Sequence, residues 1–116
     1  MTAQFEIVVD DRGKFHFQLR GPDGVVLLRS VSRRERGTTE IEVEQTRAVL
    51  HDVTRMIPYL AHDGSHFLVI KDRQDRVLAQ SSRVPSRAAL VTVGKRIKGI
   101  AVDVPVVDLT ERAEAG

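Results

Sequence analysis

The sequence repeats itself at an offset of 51 residues. Gly13 falls on Gly64, Phe17-Gln18-Leu19-Arg20 on Leu68-Val69-Ile70-Lys71, Val26-Leu27 on Val77-Leu78, and Ser30 on Ser81. An internal repeat constrains a short chain strongly, because whatever unit one half forms the other half forms again. Three strands and one helix bury only one sheet face, and a sheet needs a partner layer. Two such units can cover each other's apolar faces. The expectation is an α+β fold in which two tandem β-β-β-α repeats, residues 4–53 and 55–109, pack as one domain over 1–116, with an antiparallel sheet, two helices and a flexible tail at 110–116.

The unit is legible in the residues. Phe5, Ile7 and Val9 alternate with Glu6 and Val8, the period of a half-buried strand. Asp10-Asp11-Arg12-Gly13 reads as a turn. Phe15, Phe17 and Leu19 alternate with His16, Gln18 and Arg20, which places a polar face outward. Asp23-Gly24 marks a hairpin into a third strand, Val25 to Val31. After a basic loop, Ser32 to Gly37, the pair Thr39 and Glu42 matches a capping box. Val43, Thr46, Val49, Leu50 and Val53 then recur at helical spacing, so a helix is expected over 39–53.

The order then restarts. Ile57, Tyr59 and Ala61 alternate, His62 to Ser65 turns, His66 to Lys71 and Arg76 to Ser82 are strands, and Asp72 to Asp75 joins them. Ser86 can cap a helix on which Leu90, Val93 and Ile97 align, with Gly99 at its stop. Val102 to Leu109 contains Pro105, so a strand there belongs at an edge.

Composition narrows the functional classes. There is no cysteine among the 116 residues, which excludes disulfides and thiolate metal sites. No apolar run approaches the roughly 18 residues of a membrane helix, and Met1 to Asp11 lacks a basic-then-apolar leader pattern. A cytoplasmic location and no membrane partner are expected. The formal net charge is +2, carried mostly by arginine, a mild basic excess.

These residues also carry a family resemblance. Phe5-x-Ile7, Gly13-Lys14-Phe15-x-Phe17-x-Leu19-Arg20, Asp23-Gly24-x-x-x-Leu28-x-Ser30 and Val104-Pro105-Val106-Val107-Asp108-Leu109 resemble the YegP-like family over Gln4 to Leu109. That family comprises small bacterial and archaeal proteins of unknown function, often with a tandem repeat. The chain departs from its pattern where Gln74-Asp75 replaces an Asn-Gly hairpin pair. It departs again where Ser86-Arg87 lacks a preceding aromatic residue, and where Arg33 to Gly37 lacks the Ser-basic pair. The resemblance implies the repeated strand-strand-strand-helix fold and makes dimers plausible. It implies no activity and no catalytic residues.

No constellation for chemistry emerges. His62-x-x-x-His66 has metal-ligand spacing only on a helix, and Asp63-Gly64 breaks the run. His16 lies on a polar strand face and is expected to be exposed. Ser30, Ser81 and Ser82 sit at strand ends with no nucleophile elbow around them. Asp10-Asp11 lies in a wet turn, where ordinary carboxylates are poor acids at neutral pH. Gly21-Pro22-Asp23-Gly24 and Val93-Gly94-Lys95-Arg96 are not phosphate loops.

Neither catalytic residues nor a cofactor are therefore expected. The expected function is a non-enzymatic structural or interaction module, possibly homodimeric, since an outer strand offers unpaired backbone groups. The alternative is a weak nucleic-acid binder using Arg33, Arg34 and Arg36 of the loop with Arg83, Arg87, Lys95, Arg96 and Lys98 around the second helix. Phe15 and Phe17 share a strand face that would suit base stacking if exposed, but their alternation with His16, Gln18 and Arg20 points them into the core.

Overall fold

A computed structural model describes residues 2–100 and 102–110. The strands are β1 Gln4–Val9, β2 Phe15–Arg20, β3 Val26–Ser30, β4 Met56–Leu60, β5 His66–Lys71, β6 Val77–Ser81 and β7 Val106–Asp108. Two helices, α1 Arg36–Val49 and α2 Arg87–Lys98, follow β3 and β6, and a 3-10 turn, Val53–Arg55, precedes β4. All seven strands form one sheet in the order β4-β5-β6-β3-β2-β1-β7.

The hairpins β2–β3 and β5–β6 share their irregularities. In β2–β3 the register slips between Leu19 and Arg20, and in β5–β6 it slips between Ile70 and Lys71. The slip leaves Leu27 and Leu78 as extra residues, and both are buried beside Leu28 and Ala79. This is the signature of a β-bulge, which turns two neighbouring residues of one strand toward the same side. Backbone bridges Phe15–Arg33 and His66–Val84 close the two hairpins.

The halves meet through backbone and through one shared apolar core. β3 pairs antiparallel with β6, with Arg29 opposite Gln80 at the centre. The two halves do not stack sheet on sheet; instead α1 of the first half lies over β5 and β6 of the second as well as over β1 and β2. The apolar side chains of both halves, including Phe5, Ile7, Phe17, Leu19, Leu28, Leu68 and Ile70, form one core with Val43, Leu50, Leu90 and Ile97 from the helical segments. Both helices therefore pack on one face, and the opposite face is left to polar alternates such as Glu6, Gln18 and Arg29. Ladder bonds hold the seam, so the helices alone suffice as a second layer.

Three expectations are corrected. The sheet is mixed rather than antiparallel, because β7 runs parallel to β1. It lies at the edge, as Pro105 requires. The first helix starts at Arg36, three residues before Thr39, and its N-cap Glu35 makes no side-chain cap bond. Thr39 is instead buried inside the helix, and Glu42 accepts from Arg33 rather than closing a capping box. Finally, Thr110 is buried and bonded to Asp108 through its N–H and hydroxyl, so it is no part of a loose tail. The rest of that expected tail, 111–116, lies outside the described residues.

Candidate functional site

The sheet's two edges differ. At β1 the edge is covered: Phe5 N–H donates to Pro105 O, and Leu109 N–H donates to Ile7 O. At β4 no strand follows among the described residues. Ala61 N–H points to Ser65 O across the hairpin, so by alternation Pro58 and Leu60 turn their backbone groups outward, as Met56 does its carbonyl, while Met56 N–H is given to Val53 O. Pro58 has no N–H to offer there, which is where an edge tolerates proline.

Beside this edge α2 and β4 enclose a groove of about 280 Å³. Its apolar wall is Met56, Pro58, Leu68, Leu90 and Val91, and Arg87, Lys95 and Lys98 stand around it. Val91 is 53% exposed, and Leu60, farther along β4, is 67% exposed. Ser86 caps α2 by accepting Ala89 N–H at 3.1 Å, and its carbonyl accepts Leu90 N–H. Helical spacing then sets Arg87, Val91, Lys95 and Lys98 along one side. None of the three groove cations lies within ion-pair distance of a carboxylate among the described residues.

The other five cations expected to touch nucleic acid lie elsewhere. Arg33 grips Glu42 with two nitrogens at 2.9 Å each, on the helix side of the sheet. Hydrogen bonding to Glu42 raises the Arg33 guanidinium above its ordinary value. Arg36 reaches Asp108 at 2.7 Å and Glu40 at 3.2 Å. Arg96 pairs with Asp23. Arg83 sits 5.3 Å from the centre of the Phe67 ring, with Asp63 at 3.9 Å. Arg34 is exposed in the loop. The structure thus brings together Arg87, Lys95 and Lys98 and separates the remainder.

The aromatic expectation resolves toward the core. Phe17 is fully buried and meets Phe5 edge-on at 5.9 Å, while Phe15 is half-buried. The aromatic pair on the open face is Tyr59 and Phe67, stacked at 5.7 Å, with Lys71 against Tyr59 at 5.7 Å. Sequence reasoning missed it because the two rings come from different strands and meet only through the Tyr59–Phe67 register.

The ionisable groups of the open face are settled in place. Burial pushes the Glu6 carboxyl up, but hydrogen bonds from Gln18, Gln4 and Arg20 outweigh it and hold Glu6 below the usual carboxylate range. His16 is half-buried rather than exposed. Burial, then nearby Arg29, pushes its imidazole down against the opposing pull of Asp10. His62 and His66 flank a turn, where Asp63 accepts from Ser65 N–H and Oγ. No group of three His, Asp or Glu side chains converges among the described residues.

Comparison with solved structures places this architecture. The UPF0339 protein SO3888 from Shewanella oneidensis superposes with a TM-score of 0.84 at 19% identity, over 94% of this chain and 92% of that one. YegP from E. coli, a protein of unknown function, superposes with a TM-score of 0.86 at 18% identity, over 94% of both chains. The chain has the fold of YegP. The sequence motifs of the YegP-like family thus have their structural counterpart, and the YegP fold comes with no stated activity. No family model matches the sequence, and no curated protein matches it.

Proposed function

We propose that the protein is a non-enzymatic interaction module, one domain made of two copies of a β-β-β-α unit, which takes its partner at the edge formed by β4 and α2. The observation that carries this reading is the groove. Three cations without carboxylate partners among the described residues stand over an apolar wall beside an uncovered strand. Edges of this kind take up extended chains through main-chain bonds. The carboxylates of the sheet support the non-enzymatic side. Glu6 and Asp72 are held below the usual range, Asp72 chiefly by the backbone N–H of Arg76, so both are ionised at neutral pH and already bonded.

Self-association belongs to this reading, with a second copy pairing β4 against β4. Sedimentation over a wide concentration range tests it. The expected result is concentration-dependent association that weakens when exposed Leu60 on β4 becomes Glu. A wild-type chain that stays monomeric at millimolar concentration removes the homodimer.

The gathering of Arg87, Lys95 and Lys98 favours a second reading, weak nucleic-acid binding through the groove. The Tyr59–Phe67 stack lies on the other face of the sheet and does not line this groove. A titration with single- and double-stranded oligonucleotides at low and moderate salt decides that reading. Affinity falling steeply with salt is the expected signature, and no binding at low salt ends the reading.

A further inference from the structure

We propose that the α2–β4 groove receives an extended segment of another protein, apolar where it enters and carrying a carboxylate about four residues on, laid parallel to β4. This rests on the interaction-module reading and names the chemistry of the partner. Its basis is the corresponding place in the first half, 51 positions earlier, where this chain's own residues 102–110 occupy the slot.

There Arg47 donates to Val102 O and Val104 O, Val104 is buried, and Arg36 binds the carboxylate of Asp108. Arg36 and Arg47 correspond to Arg87 and Lys98, and α1 and α2 begin 51 residues apart. Phe5 and Ile7, which pair with Val106 and Asp108, correspond to Met56 and Pro58. The second slot thus has the cationic ends of the first and a strand edge that offers its carbonyls, Met56 N–H being bonded to Val53 O, with no segment in it among the described residues.

Two differences say what fits. On α1, Glu40 and Glu44 pair with Arg36 and Arg47 at 3.2 and 3.0 Å. The corresponding residues on α2 are Val91 and Lys95, and α2 contains no acid at all. The second slot is therefore more basic and more apolar than the one that already holds Asp108. Gly94 stands where α1 has buried Val43, which leaves room beside Leu68.

An apolar wall with cations at both ends suits a peptide better than a phosphate backbone. Pro58 also favours a parallel segment over a second copy's β4. With Met56 N–H given to Val53 O and Pro58 lacking one, the edge denies a segment two donors, whereas a symmetric β4–β4 pair loses them from each side.

The test is an amide-resolved titration of the full chain with the peptide Val-Asp-Val-Pro-Val-Val-Asp-Leu-Thr, the sequence of residues 102–110. Saturable shifts are expected at Met56, Tyr59, Val91, Lys95 and Lys98, with Phe5 and Ile7 unmoved. Replacing the second Asp of the peptide by Lys, or combining Arg87→Glu with Lys98→Glu, weakens binding by about tenfold or more. Gly94→Val fills the groove and abolishes the shifts, while a thermal melt shows the fold retained.

The inference is overturned by no saturable shift at millimolar peptide, by shifts confined to β1 and β7, or by indifference to the peptide's charge. It is also overturned if an oligonucleotide moves these amides and the peptide does not. Should the peptide fail while sedimentation shows pairing through β4, the inference falls and the module reading stands. Failure of both measurements removes both.

Discussion

Ser30 and Ser81 answer the same local need in the two hairpins. Each Oγ accepts a backbone N–H at 2.8 Å, from Phe17 and Leu68 respectively, and donates to a neighbouring carbonyl, Val31 O or Ser82 O, at 3.1 Å. Removing either hydroxyl leaves a buried N–H without a partner, so Ser30→Ala and Ser81→Ala should each cost about 1–3 kcal/mol in denaturant unfolding. Thr39 is the converse case. Its hydroxyl is buried with no bonding partner among the described residues, so Thr39→Val should leave stability unchanged or raise it by about 1 kcal/mol. The open face also sets a pH dependence. His16 has its proton affinity lowered on folding, so the unfolded chain binds the proton more readily. Its contribution to stability is complete above about pH 6.5 and is lost as pH falls through the lower folded value. Glu6 behaves alike at lower pH, complete above about 4.3 and lost below it. Melting temperatures between pH 7 and 5 should therefore fall in the wild type, and fall less in His16→Gln.

At the scale of elements, the two helices begin at corresponding positions with unequal caps. Ser86 caps α2, whereas its counterpart Glu35 has the same extended backbone and makes no cap bond. Glu35→Ser should add the missing acceptor and stabilise α1 by about 0.5–2 kcal/mol, and Ser86→Ala should lose a similar amount, both read from thermal unfolding. This asymmetry explains what the residues disclosed in advance. The second helix was legible from Ser86 to Gly99 because it carries a cap signal at each end. The first was not, because Arg33 to Gly37 contains no cap signal and Thr39 with Glu42 imitates one. What distinguishes them is Arg33, which claims the Glu42 carboxylate from nine residues away, a contact set by tertiary packing. β2 was legible to the residue, since its alternation is strict and its polar face is the open face of the sheet.

The whole molecule ends in one covered edge and one uncovered edge, and no local pattern could announce which was which. Pro105 marked the last strand as an edge strand, but its parallel pairing with β1 depends on where α2 returns the chain. The groove was hidden for the same reason: Arg87, Lys95 and Lys98 were visible as basic residues beside Leu90 and Val91, yet the facing side of their apolar wall comes from β4 and β5, about twenty or more residues away along the sequence. The uncovered edge instead carries its own guard. Ile7 pairs with Asp108 of β7, and the residue 51 positions on is Pro58, which pairs with Leu68 and has no N–H for a further strand. Pro58→Thr restores that donor with a strand-forming residue and adds no large apolar surface. In a symmetric β4–β4 pair it restores two bonds at once, each contributing about 1 kcal/mol, so self-association should strengthen by more than about tenfold in sedimentation equilibrium. The same change in the background of Leu60→Glu should give much less, because the charge repels across the same junction. If Pro58→Thr leaves the association constant where it was, the β4 edge is not where copies of this chain meet.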